Sequence, residues 1–129
     1  MKRIFGTAVV LSLGFALNAH GMDCKDDATY GDITKAELQT VGKGNKVVTL
    51  DANSEKSFKK NKIGEAVHFD KKRDIASVLP KGTTKDQLIV AYCGGTGCAA
   101  WKDAAMKACE AGYTNVKHFS AGISGWAKN

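Results

Sequence analysis

The sequence predicts a single small α/β domain, a parallel sheet flanked by helices on both faces. Three observations predict it. Leu88-Ile89-Val90-Ala91-Tyr92 is apolar throughout, as a strand covered on both faces must be. Shorter runs of the same kind, Val47-Val48-Thr49-Leu50, Ala66-Val67-His68-Phe69 and Val116-Lys117-His118-Phe119, alternate with stretches carrying helix signals. The chain has 129 residues, 43% of them hydrophobic, which leaves room for one domain and one core.

The elements follow in order. Residues 22–32 are polar and show no clear period. Thr34 and Glu37 form a capping box ahead of Leu38 and Val41, so a short helix is expected over 34–41. Gly42-Lys43-Gly44-Asn45 reads as a turn, and the first strand follows and ends at Asp51. Ser54 can cap a brief helix containing Phe58, and the second strand spans 66–69. A helix is expected over 70–79, stopped by Pro80-Lys81-Gly82. The apolar strand at 88–92 is broken sharply by Cys93-Gly94-Gly95-Thr96-Gly97. An Ala-rich helix is expected over 98–111, with Gly112 fitting its C′ position. A strand at 116–119 and a last helical turn or two at 123–128 complete the chain.

The first 21 residues are different material. Lys2 and Arg3 precede an uncharged stretch at 4–17, and Asn18-Ala19-His20-Gly21 follows. A basic start, a short apolar run and small residues at its end describe a secretory signal peptide cleaved after Gly21, with cleavage after Ala19 as the alternative. The apolar run falls short of the roughly 20 residues a spanning helix needs. Cys24 is not preceded by the run of a lipobox, so lipidation is not expected. The expected product is one domain over 22–129, periplasmic or secreted, with no membrane span after cleavage.

Loss of Lys2 and Arg3 leaves 17 basic against 13 acidic residues, a formal charge of +4. No run of five Lys/Arg and no basic–aromatic interleaving occurs, so a small anionic ligand fits better than nucleic acid. Lys59-Lys60 and Lys71-Lys72-Arg73 read as solvated faces.

The chemistry is carried by the loop after the apolar strand. Ligands of open α/β sheets bind at the carboxyl ends of strands. Glycines let successive backbone N–H groups converge, and a helix N-terminus adds partial positive charge. A cysteine at the head of such a loop becomes the favoured anion: a free thiol titrates near 8.5, and at a helix N-terminus it falls to about 3.5–7.5. Cys93 is therefore the candidate nucleophile.

Nearly the whole expected mature chain resembles a single rhodanese-like (sulfurtransferase) domain. The residues that carry the resemblance are Thr34-Lys35-Ala36-Glu37-Leu38, Val47-Val48-Thr49-Leu50-Asp51, Ile89-Val90-Ala91-Tyr92-Cys93, the loop to Cys98, and Ala111-Gly112-Tyr113-Thr114-Asn115-Val116. Ala121-Gly122-Ile123-Ser124-Gly125-Trp126 resembles the family's Gly-Gly-x-x-x-Trp ending. The resemblance implies that Cys93 carries a sulfane sulfur as a persulfide and passes it to a thiol or cyanide acceptor. The span from Cys93 to Cys98 has the length seen in sulfur-transferring members, and Ala99 stands where phosphatase-type loops need Arg. Asp51-Ala52-Asn53 replaces the usual Asp-Val-Arg, and Asn61-Lys62-Ile63-Gly64-Glu65-Ala66 replaces Gly-His-Ile-Pro-Gly-Ala. With no Lys or Arg inside the loop, donor binding rests on the backbone of Gly94, Gly95, Thr96 and Gly97, with Lys102 expected to assist from the first helical turn.

Cys98 has two readings: a resolving thiol that pairs with Cys93, or a small residue filling the helix start. Cys109 reads most simply as a core residue, with pairing to Cys24 as the alternative that export permits. No metal site is expected, since one spaced Cys pair lacks four ligands, and no cofactor is implied. His68 and His118 read as structural, Trp101 and Trp126 as core residues, and Asp51 as a loop anchor. The expected activity is a periplasmic sulfurtransferase that takes a small anionic sulfur donor and works as a monomer. Two other functions stay open: a thiol–disulfide redox protein using Cys93 and Cys98 with a redox partner, and a non-catalytic partner-binding module of the same fold.

Overall fold

The computed structural model describes residues 22–44 and 46–128; the expected signal segment lies outside them. Thr34 caps the first helix α1 (Lys35–Gly42), and Glu37 reaches back to the cap, as the sequence predicts. Then come β1 (Val47–Asp51), α2 (Glu55–Lys60), β2 (Val67–His68), α3 (Ile75–Val78), β3 (Leu88–Tyr92), α4 (Trp101–Glu110), β4 (Val116–His118) and α5 (Gly122–Ala127). The four strands form one parallel sheet in the order β2-β1-β3-β4.

The alternation of side chains along β3 builds two cores. Ile89 and Ala91 face one side with Leu50, packed under Ala104, Ala105 and Ala108 of α4 and Ile75 of α3. Val90 and Tyr92 face the other with Leu38 of α1, Ile63 and Phe119, against Phe58 of α2 and Trp126 of α5. Leu50, Ile89 and Val90 are fully buried, each worth about 1.5–3 kcal/mol relative to exposure. Helices thus cover both faces, which is why β3 needs no polar alternation.

Two helices are shorter than expected, and the strands expected over 66–69 and 116–119 reduce to Val67–His68 and Val116–His118. The helix expected over 70–79 reduces to α3, because Asp70 accepts from Lys72 N–H at 2.9 Å and Asp74 caps at Ala76. Those short side chains satisfy the backbone locally and divert 70–74 into turns. The helix expected from 98 begins at Trp101: Gly97 adopts φ +86° and Cys98 N–H donates to Gly95 O at 3.2 Å, a turn that delays the helix. Its end is as expected, with Gly112 at φ +95° and Tyr113 N–H donating back to Ala108 O.

Residues 22–32 fold as a strap over α4 and β4. A disulfide joins Cys24 to Cys109 with Cα atoms 5.6 Å apart, so Cys109 is both a core residue and half of a staple. Tyr30 donates to Cys24 O at 2.6 Å and meets Trp101 edge-on; burial and the nearby Glu110, Asp23 and Asp27 push its phenol up to about 12. His118 of β4 stacks on Trp101 with ring centroids 3.6 Å apart.

Candidate active site

The strand order reverses direction between β1 and β3: the chain leaves β1 toward β2 and leaves β3 toward β4. In a doubly wound sheet the crevice opens at that switch point, at the carboxyl ends of the two strands. The β1–β3 pairing sets Asp51 opposite Tyr92, so the next residues, Ala52-Asn53 on one strand and Cys93-Gly94 on the other, sit side by side there.

Asp51 anchors this edge. It is fully buried, accepts from Asn53 N–H at 2.8 Å through one oxygen, and takes the Tyr92 hydroxyl at 2.6 Å through the other. Tyr92 in turn accepts from Ile63 N–H at 3.1 Å. Burial and the carboxylate push the Tyr92 hydroxyl well above the usual phenol range, so it stays a donor. His68, at the end of β2, donates through Nε2 to Asn53 O at 2.7 Å. Both backbone groups of Asn53 are therefore committed.

Cys93 is 2% exposed and joined by a disulfide to Cys98, with Cα atoms 6.3 Å apart. Cys98 is the more exposed partner. Of its two sequence readings, the pairing with Cys93 is the one formed. The N–H groups of Gly94, Gly95, Thr96 and Gly97 have no acceptor among the described residues, which leaves them as donors for a ligand. Thr96 and Gly97 are exposed; Gly94 and Gly95 are partly buried.

The loop is held from below by α5. Ile123 N–H donates to Cys93 O at 2.9 Å and Ser124 N–H to Gly94 O at 3.0 Å. Those first amides of a helix have no partner within the helix itself. The approach needs glycine: Gly122 has φ +59°, and a β-carbon there would lie 2.5 Å from Gly95 N and 2.6 Å from Cys93 O.

Lys102 corrects an expectation. Its ammonium pairs with Asp27 of the strap rather than reaching the loop amides, because the strap lies over the first turn of α4. The helix start at Trp101 also separates α4 from Cys93 by the whole loop in sequence. Sequence reasoning passed over the α5 amides, although the Ala121–Trp126 motif was their signal. Trp101 is core, as expected; Trp126 packs edge-on against Phe119 and borders a cavity of about 510 Å³ also lined by Leu38, Val47 and Ile63, away from the loop.

Residues 34–129 match the Rhodanese-like domain. The chain belongs to that family. No curated protein matches the chain. Among solved structures, the rhodanese-like fold found here is similar to the human single-domain sulfurtransferase TSTD1, at 13% identity and TM-score 0.63, over 76% of this chain and 97% of that one. It is similar to the BH2092 protein of Bacillus halodurans at 23% identity and TM-score 0.60, over 77% and 72% of the two chains. It is also similar to the Saccharomyces cerevisiae single-domain sulfurtransferase RDL2 at 16% identity and TM-score 0.57, over 75% and 88%. The fold is thus the sulfurtransferase type that the resemblance implied, and in this rhodanese-like domain Cys93 heads the loop at the switch point.

Proposed function

We propose that the protein is an exported, periplasmic sulfurtransferase in which Cys93 carries the sulfur and Cys98 resolves it. The reduced Cys93 thiolate attacks the outer sulfur of an anionic donor such as thiosulfate. The S–S bond of the donor breaks, sulfite leaves with its electron pair, and Cys93 holds a persulfide. The N–H groups of Gly94 to Gly97, which have no acceptor among the described residues, are available to the donor's negative charge. A thiol or cyanide acceptor then takes the terminal sulfur and returns Cys93 as thiolate.

The observation that carries the reading is the Cys93–Cys98 disulfide across the loop at the switch point. It supports a second exit for the sulfur. Cys98 thiolate attacks the inner sulfur of the persulfide, hydrosulfide leaves, and the disulfide remains. An external dithiol then restores both thiols by attacking Cys98, the more exposed sulfur, with Cys93 as leaving thiolate. Export is supported by the signal pattern of the first 21 residues and by two disulfides, which persist in oxidising compartments.

The test uses the reduced Cys98→Ser variant incubated with thiosulfate and read by peptide mass spectrometry. The expected result is the mass of one added sulfur atom on the Cys93 peptide; no addition overturns the reading. The same disulfide favours a second function, a thiol–disulfide couple serving a redox partner. That function is left standing if the Cys98→Ser variant takes up no sulfur while the wild-type pair equilibrates with glutathione buffers.

A further inference from the structure

Among the described residues, the buried side-chain polar atom with no hydrogen-bond partner is Asn53 Nδ2. Native structures rarely leave such a group orphaned, because it forfeits its hydration without a replacement. Its position makes the orphan informative. Asn53 follows β1 at the switch point, and its carboxamide lies against the Cys93 loop: a β-carbon built at Gly94 would sit 3.8 Å from Asn53 Oδ1.

The backbone of Asn53 is fixed on both sides, its N–H by Asp51 and its C=O by His68. The side chain is the part left uncommitted, and neither of its polar atoms is hydrogen-bonded among the described residues. A half-turn of the carboxamide therefore breaks no bond and presents either NH₂ or oxygen to the loop. The residue is also neutral. The loop contains no Lys or Arg, and Lys102 is paired with Asp27, so a neutral donor beside the loop adds to its own amides.

We propose that Asn53 is a specificity-determining residue whose carboxamide, given the half-turn that brings Nδ2 to the loop side where Oδ1 now lies, donates to the anionic end of the sulfur donor bound in the Cys93 loop. The proposal rests on the sulfurtransferase reading for the identity of the ligand. A neutral amide offers a donor that is not held by a competing carboxylate, and it adds to the loop amides without neutralising the ligand's charge.

The test compares wild type, Asn53→Ala and Asn53→Asp, all reduced. Cys93 is alkylated by iodoacetate, an anion, and by iodoacetamide, its neutral analogue, and the rates are read on the Cys93 peptide by mass spectrometry. The iodoacetate-to-iodoacetamide rate ratio is expected to fall severalfold in Asn53→Ala and further in Asn53→Asp. With thiosulfate, KM is expected to rise about tenfold in Asn53→Ala, equivalent to about 1.4 kcal/mol, with kcat little changed. An unchanged alkylation ratio in both variants overturns the proposal, even where persulfide forms. A fall in the ratio with no persulfide in wild type leaves Asn53 an anion donor and rejects the sulfurtransferase reading instead.

Discussion

Replacing Gly122 by alanine tests whether α5 holds the Cys93 loop. The new methyl meets Gly95 N at 2.5 Å, Cys93 O at 2.6 Å and the Gly94 carbonyl carbon at 2.7 Å, all of them backbone atoms that cannot swing aside. A left-handed backbone costs a non-glycine residue about 1–2 kcal/mol, and overpacking adds about 1–3 kcal/mol. The expected loss is about 2–5 kcal/mol, or a fall in Tm of at least about 8 °C for a domain of this size. Gly64 supplies the control. Its φ is +53°, close to the +59° of Gly122, but a β-carbon there would have nothing within 4 Å. Gly64→Ala should therefore lose only the backbone component, about 1–2 kcal/mol. Urea denaturation with the disulfides intact measures both, and alkylation of reduced Cys93 reports loop geometry. If Gly122→Ala is no more destabilising than Gly64→Ala and Cys93 reacts at the wild-type rate, the loop does not depend on this contact and the positioning argument fails.

Three further outcomes are expected. Tyr92→Phe removes the donor to Asp51 and the acceptor for Ile63 N–H, both buried; stability should fall by about 1–3 kcal/mol, toward the upper end because one partner is a carboxylate, and an unchanged urea midpoint would refute the network. Replacing both Cys24 and Cys109 by serine opens a loop between residues separated by 85 positions; the chain-entropy relation gives a loss of about 4–5 kcal/mol, and a calorimetric Tm at the wild-type value would show that the strap contributes nothing. Burial against Trp101 lowers the His118 imidazole below its ordinary value of 6.5, despite opposing attraction from Asp32 and Asp27. The folded state then binds fewer protons than the unfolded one, so stability is full above 6.5 and is lost as pH falls below it; a His118→Gln variant whose urea midpoint shows the same slope between pH 7 and 5 would contradict this.

Much of the fold was legible because local signals agreed with the packing. The Thr34–Glu37 box, Ser54, the apolar 88–92 run and Gly112 each satisfy a backbone or burial requirement that neighbours in sequence decide. The expectation over 70–79 missed because Asp74 takes the Ala76 N–H that a continuous helix would have used, while Arg73 N–H closes a turn onto Asp70 O. At the site, a cysteine at the head of a loop, Cys93, was readable from the Gly-rich break after a buried strand, whereas Cys98 kept two readings until the structure paired it with Cys93. Lys102 was misplaced, because its partner Asp27 lies on a strap whose path over α4 is fixed by a disulfide between cysteines 85 positions apart. Asp51 was readable as an anchor; that its second oxygen takes Tyr92 depends on strand register.

The order of residues by itself determined the α/β class, the order of the elements and the cysteine at the head of a glycine loop, since periodicity, caps and turns act over a few neighbours. Tertiary structure alone decided which strands adjoin, that Cys24 meets Cys109, that α5 donates to Cys93 O, and that Asn53 lies beside Gly94 with an unpaired amide. Those contacts join residues tens of positions apart, and their geometry follows from how the sheet is wound rather than from any local preference.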